Sequence, residues 1–218
     1  MKATVVGAGG LGGPLALALG AAGVELVIVD PDVVETSNLH RQIQFTAADL
    51  GASKATTLAM RVVERGGQAK GYQVRWRAED ADDISGDSEL IVEGSDDPTT
   101  KFAVADWAVG RGIPYVIAAA VRFGGNVLVG APGTACYRCL FEDPVEAATC
   151  AAAGVLGPIV GAIGGLAAAL ALALTRGPAP DALGTLYVFD DLRVSAAPRI
   201  VQFSRRATCP ACAQQKVG

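Results

Sequence analysis

ATVVGAGGLGGPLALALGAAGVELVIVD, residues 3 to 30, is the stretch from which the rest of the chain can be read. Ala3 to Val6 is a short apolar run closing on Gly7, which reads as a buried parallel strand, and the apolar segment from Leu11 to Ala22 reads as a helix. Glu25 to Val29 is a second strand and ends at Asp30. This is the opening β-α-β of a doubly wound sheet. The glycines of Gly7-Ala8-Gly9-Gly10-Leu11-Gly12 allow a tight turn there and let backbone N–H groups and the helix N-terminus approach phosphate. Asp30 is placed to bond a ribose hydroxyl. Taken alone, the loop implies only a nucleotide: Gly7, Gly9 and Gly12 satisfy the dinucleotide spacing, so an NAD-dependent oxidoreductase stays open, as does a pure packing role. The extra Gly10 and the residues downstream favour another use.

Outward from this unit, a polar loop runs from Pro31 to Asp49, and Ala55, Leu58, Ala59, Val62 and Val63 then fall at helical spacing before Gly66 and Gly67. Leu90 to Val92 reads as a strand, Thr99 to Val109 as a helix and Tyr115 to Ala119 as a strand. The alternation predicts a mostly parallel sheet through about residue 120. Asn126 to Val129, Thr185 to Phe189 and Arg199 to Phe203 read as antiparallel strands around a long small-residue helix. The expected fold class is α/β, a Rossmann-like doubly wound sheet extended by antiparallel strands, in one domain over 1–218. Its nucleotide-binding half is 1–120 and its extension 121–218.

A chain of 218 residues can bury a core without disulfides. Its net charge of −4 gives no basic footprint, so nucleic acid is not an expected partner. Hydrophobic residues make up 51% and mean hydropathy is +0.36, so membrane insertion has to be weighed. No charged side chain occurs from Ala147 to Thr175, but this stretch is built from alanine and glycine, whereas insertion is driven by larger apolar residues. A helix buried all round, or packed across a dimer interface, is expected instead of a membrane span. No secretory signal opens the sequence, and the expected compartment is cytoplasmic.

Ser37-Asn38-Leu39-His40-Arg41-Gln42 follows Asp30, and Lys54 comes 13 residues after Arg41 at the start of a helix. Cations and amides converging on one nucleotide suit a triphosphate whose α-phosphorus is attacked, because charge builds on nonbridging oxygens and on pyrophosphate. Hydride transfer has no such requirement. Asp96 and Asp97 follow the strand Leu90 to Val92 at its carboxyl end, where open α/β sheets bind ligands. Asp96 is assigned to Mg²⁺ bridging the phosphates. Asp97, before Pro98, also fits a helix N-cap.

Cys136 with Cys139 and Cys209 with Cys212 form two C-x-x-C pairs. Each can direct two thiolates to one metal, and two pairs complete a closed tetrahedral Zn²⁺ site; redox use of either pair is the alternative. Cys150 is the fifth cysteine.

With these motifs together the chain resembles the ThiF/MoeB/HesA family of ubiquitin-activating-type adenylyltransferases, over nearly its whole length. The resemblance implies that Gly10 lies by the phosphates, Asp30 holds the ribose, Asn38, Arg41 and Lys54 surround the phosphates, and Asp96 binds Mg²⁺. The implied activity is ATP-dependent adenylation of the C-terminal glycine of a ubiquitin-like sulfur carrier ending in Gly-Gly, by a homodimer working with a sulfur donor protein. In some family members a cysteine in the segment matching Cys150 accepts the activated carrier. Other readings are a non-catalytic carrier-binding or partner subunit, and adenylation of a peptide C-terminus. The sequence departs from the family pattern in three places. Family members carry a helix before the first strand with an arginine reaching the partner's ATP site, which is expected to be absent here. The usual Asn after the metal-binding Asp is Asp97, and the usual Arg four positions later is Lys101. Arg122, matching an arginine after the fifth strand, is the expected compensating cation.

Overall fold

The computed structural model describes residues 1–144, 154–175 and 183–213. Its strands are β1 (Lys2–Val6), β2 (Glu25–Val29), β3 (Gln68–Tyr72), β4 (Leu90–Glu93), β5 (Tyr115–Val121), β6 (Gly124–Gly130), β7 (Thr185–Phe189) and β8 (Arg199–Gln202). They form one sheet in the order β3-β2-β1-β4-β5-β6-β7-β8. The first five are parallel, and β6, β7 and β8 add antiparallel. Runs such as Leu-Val-Ile-Val in β2 and Leu-Ile-Val in β4 are buried, as expected where helices cover both faces of a parallel sheet. The sequence reading missed β3. Its Gln-Ala-Lys-Gly-Tyr has no apolar run, because an edge strand buries little, and its Gly71 is required where a Cβ would come within 2.3 Å of the Ala55 carbonyl oxygen.

The helices are α1 (Gly12–Ala21), α2 (Lys54–Glu64), α3 (Ala81–Ser85), α4 (Pro98–Arg111), α5 (Tyr137–Leu140) and α6 (Gly157–Thr175). Ser53 caps α2 by accepting the Thr56 N–H at 3.3 Å. Asp97 caps α4 by accepting the Thr99 N–H at 3.0 Å, with Pro98 at the first turn and left-handed Gly112 closing the helix. The N-cap reading of Asp97 is therefore what the structure shows. One core joins α1, α2 and α6 to one sheet face; the other joins α4, Trp76 and the four paired cysteines to the opposite face.

Among the described residues α6 is the helix long and apolar enough to cross a membrane. It is not buried all round, which corrects one form of the expectation. Ile159, Val160, Ile163, Ala167, Ala168 and Ala171 fill the core, while Ala162, Gly165 and Ala169 are exposed. Its small residues have a local cause: a Cβ on Gly164 would lie 2.6 Å from the Leu11 carbonyl oxygen, so the helix touches the backbone at the start of α1.

Candidate active site

The chain runs β1, β2, β3 to one side of the sheet and then returns to place β4 and β5 on the other, so the crevice above β1 and β4 is a topological switch point. A cavity of about 560 Å³ opens there at the carboxyl ends of the strands. Gly7, with φ +92°, turns the chain away from β1, and a Cβ on it would come within 2.7 Å of the Ser95 nitrogen. Gly7, Gly9, Gly10 and Leu11 line the cavity. Gly12 does not; its Cβ would lie 1.8 Å from the Gly7 carbonyl oxygen, so it serves the close packing of helix on loop. Asp30 directly follows β2, buried, accepting the Ala8 N–H at 2.7 Å and the Asp32 N–H at 2.8 Å. Burial pushes its carboxyl up, against those two N–H bonds, and the residue lines the cavity beside the glycine loop.

A short 3-10 turn, Thr36–Asn38, starts the polar segment, and the Asn38 carbonyl then accepts the Arg41 and Gln42 N–H groups at 3.1 and 3.0 Å. Asn38, Arg41 and Gln42 consequently face the cavity together. Asn38 is 7% exposed and Gln42 3%, yet Asn38 Oδ1 and Gln42 Oε1 have no hydrogen-bond partner. A buried amide left unpaired costs about 1–3 kcal/mol, and its natural partner is a bound ligand. Arg41 Nη1 donates to the Ser37 carbonyl at 3.1 Å, and Lys54 Nζ to Asp32 Oδ2 at 3.0 Å. Both cations line the cavity. Ser37, Leu39 and His40 are absent from its lining: Ser37 and His40 are exposed, and Leu39 packs against the core instead.

Asp96 lies on the turn after β4 and lines both this cavity and a second one of about 260 Å³. The second is walled by Phe102, Tyr137, Phe141, Ala119 and Val121. Asp97 lines the first but is engaged by α4, where Thr100 Oγ1 donates to it at 2.7 Å. Although burial opposes it, the Thr100 hydroxyl and the Thr99 N–H hold its carboxyl below the usual carboxylate range. Lys101 is buried and lines the second cavity, not the nucleotide cavity; it pairs with Glu93, which is 0% exposed and whose carboxyl burial pushes up. Arg122 is exposed and outside both linings, its backbone held in the left-handed region by a bridge to Val155. Cys150 falls outside the described residues.

Sequence reasoning missed four residues here. Gln44 Nε2 donates to the Ala8 and Gly9 carbonyls at 2.9 and 3.0 Å and pins the glycine loop; an amide two residues beyond Gln42 was the signal available. Arg75 and Trp76 enter the cavity wall from the segment after β3, which carries no motif. Glu93 is an acid inside a buried strand, and that incongruity was legible.

On the α4 face of the sheet, Cys136, Cys139, Cys209 and Cys212 are all buried, with sulfur atoms within 4.8 Å of one another. Neighbouring sulfurs lie 3.4, 3.5 and 3.8 Å apart. A tetrahedron with metal–sulfur bonds of about 2.3 Å has edges of about 3.8 Å, so the cluster fits Zn²⁺. Burial pushes the Cys136 thiol up; Cys209 is lowered to about 7, because N–H groups of Cys212 and Ala211 outweigh its burial. The Arg206 N–H donates to Cys139 Sγ at 3.4 Å.

The model of the ThiF family matches residues 1–211. The sulfur carrier protein adenylyltransferase of Thermus thermophilus is 38% identical over 224 residues, covering 97% of this chain and 82% of that protein. Adenylyltransferase and sulfurtransferase MOCS3 of Dictyostelium discoideum is 37% identical over 217 residues and 95% of this chain, which spans about half of it, 51%. Among solved structures, E. coli MccB with succinimide superposes with a TM-score of 0.82 at 20% identity, over 98% of this chain and 66% of that one, and shares the fold.

Proposed function

The chain belongs to the ThiF family, and from that premise we propose that it uses ATP to adenylate the C-terminal glycine carboxylate of a small ubiquitin-like sulfur carrier ending in Gly-Gly. The observation that carries this reading is the pair of cavities joined at Ser95 and Asp96: one is lined by a glycine loop, a ribose-ready acid, the cations Arg41, Lys54 and Arg75 and unpaired amides, the other mostly by apolar side chains. ATP in the first would set its ribose against Asp30 and its phosphates among Gly10, Asn38, Arg41, Gln42 and Lys54. A carrier tail entering the second would bring its terminal carboxylate to the rim they share. A carboxylate oxygen then attacks the α-phosphorus, the bond from that phosphorus to the β-phosphate oxygen breaks, and pyrophosphate leaves, giving acyl-adenylate. Arg41 and Lys54 stabilise the charge that develops on the phosphoryl oxygens and on the leaving group. Mg²⁺ at Asp96 would add neutralisation of phosphate charge when bound.

The remaining parts of the reading follow from the same features. Zn²⁺ held by the four cysteines is structural, because four thiolates leave no open position. The exposed stripe Ala162, Gly165 and Ala169 on α6 suits close packing against a second copy. A sulfur nucleophile on a donor protein then attacks the acyl carbon, the bond from that carbon to the phosphate oxygen breaks and AMP leaves; a reducing cytoplasmic compartment suits cysteines used as metal ligands. Exchange of labelled pyrophosphate into ATP, dependent on a Gly-Gly carrier, is the test. Its absence with every carrier tried at high enzyme concentration would defeat the proposal.

A further inference from the structure

Between the two cavities lies a buried ion pair that the chemistry above does not use. Glu93, the last residue of β4, accepts an ion-pair hydrogen bond from Lys101 of α4, and their side chains are 0% and 7% exposed. The Lys101 ammonium also donates to the Ser95 carbonyl and to the Ala118 carbonyl of β5, both at 2.8 Å. An ammonium has three donors, so all of them are spent within the protein. Lys101 therefore has none left for a phosphate or a carboxylate, although it occupies a position where the family pattern has a cation.

The other half of the pair is turned to the same backbone. Glu93 Oε1 accepts the Ser95 N–H at 2.7 Å, so Ser95 is held by its nitrogen from Glu93 and by its oxygen from Lys101. One residue further on, the Asp97 N–H donates to Ser95 Oγ at 3.3 Å and the Asp97 side chain is locked into the cap of α4. Asp96 stands between these two anchored residues. Among the described residues no hydrogen bond or ion pair holds its own side chain, so its place at the rim of both cavities is set by its neighbours' backbone. Stability does not account for the pair, since replacing a buried ion pair by apolar groups is often neutral or better.

We propose that Glu93 and Lys101 are positioning residues that fix the Ser95–Asp96 turn, and so hold the Asp96 carboxylate where the metal of a metal–nucleotide complex is shared between the two cavities. This rests on the magnesium role given to Asp96 above. The test is Mn²⁺ binding, read by electron paramagnetic resonance with α,β-methylene-ATP present, on the whole chain and on Lys101→Met, Glu93→Gln and Lys101→Arg, with zinc content and thermal unfolding followed in each. Residues that orient a metal ligand typically change metal affinity about 10- to 100-fold. Lys101→Met and the near-isosteric Glu93→Gln should each weaken Mn²⁺ by at least about tenfold, while Lys101→Arg, which keeps charge and donors, should recover most of it. Folded Lys101→Met or Glu93→Gln protein with the wild-type Mn²⁺ affinity would overturn the positioning role alone. If the unaltered chain binds the analogue but no Mn²⁺ with it, the metal assignment of Asp96 and this inference fall together, while adenylation itself would still be judged by pyrophosphate exchange.

Discussion

On the α4 face, four sulfurs lie within 4.8 Å of one another, closed to water and braced by N–H groups of the segments that carry them. At the carboxyl edge of the parallel strands, Asn38 and Gln42 are nearly as deeply buried, but polar atoms on both are unpaired and a cavity of about 560 Å³ stands before them. The first region gathers its ligand atoms on one point; the second turns its free polar atoms toward an open cavity. Polar burial thus has two uses in one sheet: thiols gathered on one point suit a metal that holds the fold, and unpaired amides facing a cavity suit a ligand.

Removing the metal from the closed region should have the largest effect. Structural zinc contributes on the order of 10 kcal/mol, so Cys209→Ser, or a strong chelator, should release zinc and lower the unfolding temperature steeply. Retention of the full thermal transition after zinc loss would break the contrast. In the open region, Lys54→Ala or Arg41→Ala should cut pyrophosphate exchange by about 10²- to 10³-fold while zinc content stays the same. Full exchange in either variant would mean that the phosphates lie elsewhere. Gly12→Ala sharpens the boundary between wall and contents: its Cβ would meet the Gly7 carbonyl oxygen at 1.8 Å, and the overpacking should cost about 1–3 kcal/mol of stability by denaturant titration. The smallest effect belongs to Asp97, where Asp97→Ala should remove a helix cap worth about 1 kcal/mol. Because the folded-state carboxyl is held below its ordinary value, the wild type's advantage is present above about pH 3.8 and is lost as pH falls through the lowered value. Paired unfolding curves at pH 7 and below pH 3 check this; an advantage that does not shrink in acid would assign the effect to packing.

The legible parts of the sequence were those where one local rule dictates the residue. Buried strands read as apolar runs, glycine turns read from Gly7 and from Gly66 with Gly67, and a cap at Asp97–Pro98 was one of two readings open there because both residues have a positional meaning. The two C-x-x-C pairs could be joined to one another before any fold was known, since a metal needs four ligands. What stayed hidden depends on contacts distant in the chain. β3 borrows its hydrogen bonds from β2 and carries no pattern of its own. Arg75 and Trp76 enter the cavity wall only because β3 carries the chain to that edge. Within Ser37 to Gln42, the residues that face the cavity could not be sorted from those that do not, because a 3-10 turn lacks the periodicity that assigns a face. The outward stripe of α6 went unpredicted for a related reason, as alanine and glycine mark tight approach without saying from which side.

Lys54, at the start of α2, is neutralised by Asp32 of the loop that leads into that helix, an anion 62% exposed at its side chain. An arriving phosphate would exchange partners with that carboxylate instead of expelling a dissolved counterion. Since the displaced anion does not dilute into the solvent, ionic strength should affect nucleotide association less steeply than the number of cations in the cleft would imply, and the exposed Asp32 swings into water as a charge the solvent accommodates at little cost.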